Sequence, residues 1–224
     1  MRFTRARLLK IHESLLHAHG PQHWWSATNP FEIMMGAVLV QHTQWRAVTG
    51  VIHKLKAAKL MTAGRILDTS NRHLTALIRS AGTPRIKTQR LKALSAWVIE
   101  QGGVAKAAKL ETDALRHSLL AVHGIGPETA DCILLYAFQR PMFIADAYAR
   151  RFFTRYGFEP PMLRYEPLQC SVESVLNASA AFYDELHALI VRHCKNLCRS
   201  QPLCEQCMLN SSCAYAKQRA GGSP

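Results

Sequence analysis

Four of the chain's seven cysteines crowd into sixteen residues, in the order Cys198-x5-Cys204-x2-Cys207-x5-Cys213. Four thiolates that close, separated mainly by polar residues, can wrap one metal centre. Zinc suits an all-cysteine tetrahedral site. A structural four-cysteine zinc site usually shows two C-x2-C pairs, however, and this run has one short pair between two longer gaps. The wider spacing favours an iron–sulfur cluster, whose larger body needs it, with zinc as the alternative. Cys132, Cys170 and Cys194 are scattered and are expected to pack in helices. An odd total, and a basic N-terminus with no apolar core or cleavage site, argue against a secreted disulfide scaffold. A cytoplasmic location is therefore expected, beside the nucleoid if the source is prokaryotic.

A second chemical signal lies in Leu119-Leu-Ala-Val-His-Gly-Ile-Gly-Pro-Glu-Thr-Ala-Asp-Cys-Ile-Leu134. Gly124-Ile125-Gly126 separates two helical stretches, and glycines there permit positive φ and close approach of another backbone. Pro127 takes the first helical turn, where its missing N–H is not needed. The N–H groups of such a turn and helix start form an anion site, while Ile125 plugs the space between the helices. A phosphate gripped by backbone amides is read without regard to base sequence. Taken alone, Gly-Ile-Gly is a weak signal.

The charge balance points the same way. The 224 residues include 28 Lys and Arg against 15 Asp and Glu, a formal charge of +13. Such an excess predicts a polyanionic partner, nucleic acid first. From residue 1 to 67 only Glu13 and Glu32 are acidic, against nine Lys and Arg, so the excess is not confined to a tail. An apolar fraction of 48% excludes a disordered chain. The longest uncharged apolar stretch, around Met34 to Val40, is far too short to span a bilayer, so no membrane partner is expected.

These residues must be positioned by helices. Apolar residues at helical spacing predict helices over Thr4–His17, Phe31–Gln41 (opened by Pro30 and almost wholly apolar), Trp45–Ala58, Ala63–Leu67, Asn71–Ser80 and Pro84–Gln101. Thr112–Val122 and Pro127–Phe138 form the pair around the glycine turn. Asp146–Tyr156 and a single long helix over Val172–Cys194 follow. The segment 214–224 lacks periodicity and is expected to fray. No alternating strand pattern and no internal repeat is present.

Downstream of the glycine turn comes an extended apolar link, Pro141-Met-Phe-Ile144, then Ala145-Asp146-Ala-Tyr-Ala-Arg-Arg-Phe152, and finally the cysteine run. Upstream stands Phe31-Glu-Ile-Met-Met-Gly-Ala-Val-Leu-Val-Gln41-His-Thr43. In this order the four motifs resemble the helix-hairpin-helix superfamily of DNA glycosylases, of which endonuclease III is the best-known member. The resemblance covers about residues 20 to 213. It implies an all-α fold of two helical domains flanking a DNA-binding cleft. One is a helical barrel over about 30–142, with the helix-hairpin-helix at about 112–138. The other is an iron–sulfur domain built from about 1–29 and 143–224. It implies a catalytic role for Asp146 and a 4Fe-4S cluster on Cys198, Cys204, Cys207 and Cys213, in a loop one residue shorter than the family's in its first gap. It implies contacts to DNA from Gln41, which would probe the duplex, and from His123, Gly124, Ile125, Gly126 and Thr129. The expected partner is double-stranded DNA containing a damaged base, bound by a monomer.

One position departs from the pattern. Bifunctional members carry a lysine two places after the second hairpin glycine, and here that place is Glu128. A carboxylate cannot form the Schiff base that leads to strand cleavage, so a monofunctional glycosylase that releases a base by water attack is expected. Asp146 would stabilise the oxocarbenium-like sugar and orient or deprotonate water. As a residue before a helix it is also a natural N-cap. Glu128 is either a proton donor to the leaving base or an acid favoured by the first turn of its helix. Trp24, Trp25 and Trp45 offer faces on which an extruded base would stack, above all a cationic alkylated purine. That block resembles the 3-methyladenine glycosylase branch, although that branch keeps the hairpin lysine. An adenine glycosylase fits worse, because the glutamate that branch places one turn before the glutamine is Ala37. An enzyme acting on oxidised pyrimidines, or a catalytically silent DNA-binding relative, are the alternatives.

Overall fold

The computed structural model describes residues 1–24, 29–159 and 164–221, and among these it contains helices and no strand. In chain order they are α1 (Arg5–His19), α2 (Pro30–Leu39), α3 (Trp45–Ala57), α4 (Ala63–Asp68), α5 (Asn71–Leu77) and α6 (Pro84–Glu100). Then come α7 (Val104–Ala107), α8 (Thr112–Leu120), α9 (Pro127–Phe138), α10 (Ala147–Tyr156), α11 (Tyr165–Leu176), α12 (Ala180–Asn196) and α13 (Ala214–Gly221). The fold is all-α. No helix among the described residues is long and apolar enough to cross a membrane. The chain divides into two units, Trp25–Arg140 and the two chain ends Met1–Trp24 with Pro141–Pro224.

In the first unit, α2 is the central element. Asn29 caps it, its Oδ1 accepting from the Phe31 N–H at 2.9 Å, and Pro30 opens its first turn. Every residue from Phe31 to Leu39 is buried. Met34, Met35, Val38 and Leu39 have no exposed surface, and each such side chain contributes about 2 kcal/mol of hydrophobic stabilisation before conformational entropy is counted. The helix packs on α9, α6 and α3. Glu32 sits on this covered helix because Lys56 of α3 meets it at 2.8 Å.

The hairpin is closed by α8 and α9. Leu115, Leu119, Ile125 and Ile133 fill the space between them, all buried. Arg116 of α8 grips Asp131 of α9 with two hydrogen bonds, Nε to Oδ1 at 2.7 Å and Nη2 to Oδ2 at 3.2 Å. This bidentate pair fixes the register of the two helices around the glycine turn.

In the second unit, Leu8, Ile11 and Leu15 of α1 are buried, and the helix packs on α12 and α11. Phe152, Phe153 and Tyr156 of α10 form an aromatic cluster with Phe3, Phe143 and Phe158. The extended link before α10 is pinned at Phe143, whose N–H donates to Glu173 Oε1 at 2.7 Å and whose carbonyl accepts from Gln169 at 2.9 Å.

Two expectations are corrected. The segment 172–194 is not one helix. Asn177 adopts a left-handed conformation (φ 42°) that ends α11, and Ser179 starts α12 by accepting from the Phe182 N–H. Asparagine tolerates that conformation better than most residues, and serine is a preferred cap, so the break is locally encoded. The segment 214–221 is helical rather than frayed: α13 packs on α10 and buries Ala216.

The hairpin pair gives a test. Asp131 has no exposed side-chain surface whereas Arg116 is 23% exposed. Arg116→Ala strips a buried carboxylate of this cation and should cost about 3 kcal/mol or more. Asp131→Ala should cost less, since the guanidinium can turn to water. Urea unfolding of both variants checks the order, and the reverse order would refute it.

Candidate functional site

At the hairpin end of the first unit, the chain leaves α2 and turns at Val40, which brings Gln41 onto the glycine turn. Gln41 Nε2 donates to the Gly124 carbonyl at 3.1 Å and to Thr129 Oγ1 at 2.9 Å. Its Oε1 accepts from Arg90 Nη1 of α6. Gly124 has φ +83°, and a Cβ there would lie 2.4 Å from Arg90 Cγ. The glycine is therefore required twice, for its backbone conformation and for the arginine laid across it. Ile125 is 5% exposed and Thr129 8%. Ile125 packs between the helices, and the Thr129 hydroxyl faces Gln41. His123, Gly126 and Glu128 are exposed. Gly126 caps α9 without a side chain, so the amides of the first turn have no side-chain cap. Nothing in the sequence of its own helix marks Arg90 for this contact.

In the second unit, Asp146 is the N-cap of α10, and its Oδ1 accepts from the Ala149 N–H at 2.7 Å. Its Oδ2 lies 3.5 Å from Nε2 of His187 on α12, and the two side chains are 14% and 7% exposed. The Trp24 ring meets His187 edge to face, with centroids 6.2 Å apart. Lys195 Nζ stands 5.4 Å from the Trp24 ring centroid and 5.8 Å from that of Tyr148, and the Arg151 guanidinium lies over the Tyr148 ring at 5.2 Å. The Asp146 carboxylate is thus tied down at Oδ1, with the His187 imidazole facing Oδ2. Of the three tryptophans, Trp24 belongs to this unit, Trp45 opens α3 of the other, and Trp25 lies outside the described residues.

The cysteine loop follows α12. Cys198, Cys204, Cys207 and Cys213 line one apolar cavity, together with Phe152, Tyr156, His193 and Leu209. Arg155 of α10 donates from Nη1 to the Arg199 carbonyl at 2.6 Å and from Nη2 to the Ser200 carbonyl at 3.0 Å, and its Nη1 is 3.6 Å from Cys198 Sγ. Arg151 Nε donates to the Cys198 carbonyl at 2.9 Å. The hydrogen bond with Cys194, helped by Arg155, holds the Cys198 thiol down at about 6, while burial pushes the Cys207 and Cys213 thiols up. Cys194 is fully buried beside the loop. His193 joins the loop to the first helix: its Nε2 is 3.6 Å from Cys207 Sγ and its Nδ1 3.2 Å from His19 Nε2. Burial, and then the neighbouring His19, hold it down at about 4. Among the described residues no group of three or more His, Cys, Asp or Glu side chains forms a site for a single metal ion as it stands. The four thiols around this one apolar cavity, with the Arg155 guanidinium beside the first, are the residues that could hold a thiolate-bound centre.

Residues 35–176 match the model of the HhH-GPD superfamily base excision DNA repair proteins, and the chain belongs to that superfamily. It is 39% identical over 209 residues to MJ1434 of Methanocaldococcus jannaschii, which carries the name of a DNA repair glycosylase, covering 92% of this chain and 95% of that one. Among solved structures it is similar to the 3-methyladenine DNA glycosylase of H. pylori bound to 1,N6-ethenoadenine, with TM-score 0.76 and 27% identity over 86% of this chain and 98% of that one. The fold is also that of endonuclease III in a non-covalent complex with DNA, with TM-score 0.83 and 22% identity over 98% and 99% of the two chains. The chain is thus a base excision repair DNA glycosylase of this superfamily.

The hairpin geometry predicts a contrast between two glycines. Gly124→Ala places a side chain in the left-handed region and against Arg90, and should destabilise by about 2 kcal/mol. Gly50→Ala, in α3 with open space around it, should stabilise by about 0.5–1 kcal/mol. Chemical denaturation of the two variants measures both.

Proposed function

We propose that this glycosylase is monofunctional and removes an alkylated purine by water attack, with Asp146 as its catalytic carboxylate. The observation that carries the reading is the fixed geometry of that side chain, tied to the Ala149 N–H and facing His187. A carboxylate so held stays aimed as positive charge develops on the sugar, and it can orient or deprotonate the attacking water. Flipping supplies the nucleotide, and Trp24, already between His187 and Lys195, offers a face for an extruded base. Trp25 and Trp45 are proposed to share that role. The hairpin turn, with Gly124, Gly126 and the exposed His123, would hold a backbone phosphate by its amides. Gln41 would enter the duplex on leaving its two hairpin bonds.

Glu128 supports the absence of a lyase step. It occupies the place of the Schiff-base lysine, and a carboxylate cannot form that intermediate. Its exposure in the first turn of α9, where the helix dipole favours an anion, supports a spectator over a proton donor. The likeness to a glycosylase holding 1,N6-ethenoadenine favours a modified purine. An endonuclease III-like action on oxidised pyrimidines is the alternative, and likeness to endonucleases III in both fold and sequence stands behind it.

Cys198, Cys204, Cys207 and Cys213 are proposed to hold a 4Fe-4S cluster, which when bound supplies a rigid body on which the loop folds. Arg151 and Arg155 fix the loop backbone around the first of these thiols.

A lesion panel in duplex DNA, assayed with and without hot alkali, tests the reading. Strand breaks at modified purines that appear only after alkali are expected. Direct breaks would establish a lyase, and binding without excision would leave a DNA-binding protein. Asp146→Asn should slow single-turnover excision by about 10²-fold or more while duplex affinity is kept. Glu128→Gln tests the proton-donor role separately, since loss of excision there would restore it. A colourless protein carrying zinc would overturn the cluster assignment.

A further inference from the structure

α5 and α6 pack against each other and leave a trough along their outer faces. It has a volume of about 410 Å³ and is lined by Arg72, Thr75, Arg85, Thr88 and Gln89 among others. A second space of about 310 Å³ shares Arg72, Thr75 and Arg85 and adds Arg79. All three arginines are exposed, and among the described residues their guanidinium groups make no hydrogen bond or ion pair. The contrast with Arg90, Arg116, Arg140, Arg151 and Arg155 is informative, since each of those is held by an oxygen acceptor. No acidic residue occurs between Asp68 and Glu100, so nothing in this stretch offsets the charge. On the trough floor the hydroxyls of Thr75 and Thr88 lie 2.9 Å apart. One can donate to the other, which leaves one hydroxyl proton directed elsewhere.

From these features we infer that the α5–α6 trough binds the sugar–phosphate backbone of duplex DNA, as a contact separate from the hairpin. Guanidinium forks match phosphate oxygens in pairs, and three forks spread along a trough suit a repeating anion better than a single one. The lining has no aromatic face on which a base would stack. The same helix serves both contacts. On α6, Arg90 reaches the hairpin turn, while Arg85, Thr88 and Gln89 present a different side to the trough. A duplex held by the turn amides alone would be held at one point, and the trough adds a second grip within the same unit. The inference rests on the DNA-binding reading of this superfamily member.

The test measures affinity of the full chain for a lesion-free duplex across a salt series. For Arg72→Gln/Arg79→Gln/Arg85→Gln, the slope of log affinity against log salt should become shallower by about 0.9 per lost phosphate contact, up to about 2.7. Low-salt affinity should fall by about tenfold or more, with the thermal midpoint kept. Replacing the same three residues by lysine should retain most of the slope. An unchanged slope in the glutamine variant, or an equal loss in the lysine variant, would overturn the trough. So would a variant that keeps duplex binding but loses binding to poly-glutamate, which would make the trough a seat for an acidic protein. Salt-insensitive duplex binding by the unaltered chain would instead remove the DNA reading, and the trough with it.

Discussion

The buried ammonium of Lys87 is the contact on which the hairpin end of the molecule depends. α2 is covered on all sides, so the carbonyls at its C-terminal end cannot turn to water, and an unpaired one is costly. Lys87 is 1% exposed and donates to the carbonyls of Leu39 and Ala81. Burial, with the charge of Arg90 behind it, lowers its pKa, and the two carbonyls oppose that pull by favouring the ammonium. The bond fixes where α2 stops, and hence where Gln41 stands. It also fixes the first turns of α6, so Arg90 meets Gly124 on one side and Arg85 faces the trough on another. One buried cation thus sets the register of three functional features.

Elsewhere the chain handles its charge by sorting it. Arginines that face carbonyls or a carboxylate build the frame: Arg116 on Asp131, Arg140 on the carbonyls of Ala108 and Leu110, Arg151 and Arg155 on the cysteine loop. Those without such partners stand on the surface, where a polyanion can meet them. The arginines therefore fall into two populations, one holding the frame and one standing at the surface.

What the sequence disclosed follows from the range of each interaction. The start of α2 at Asn29-Pro30, the Gly-Ile-Gly turn and the Asp146 cap are local signals, and each was readable from a handful of adjacent residues. The Asn177–Ser179 break was equally local, yet the apolar periodicity on either side masked it. α13 stayed hidden because a short polar helix needs its packing on α10 to exist. His187, Arg90 and the His19–His193 contact were out of reach for another reason. Their partners lie between 34 and 174 residues away, and nothing in their own segments names those partners. A trace was present in α12, where His187 and Cys194 recur at a helical period on one side. Reading it required knowing that Asp146 and the cysteine loop both lean on that helix.

α12 carries both of those seats on one stiff rod. His187, behind Asp146, and Cys194, behind the first loop cysteine, are seven residues apart, about 10 Å along the axis. A rod of that length has no soft joint, so a loop that settles differently turns the imidazole as well. The seat of the imidazole that faces Asp146 and the seat of the first loop cysteine are thus set by one mechanical part.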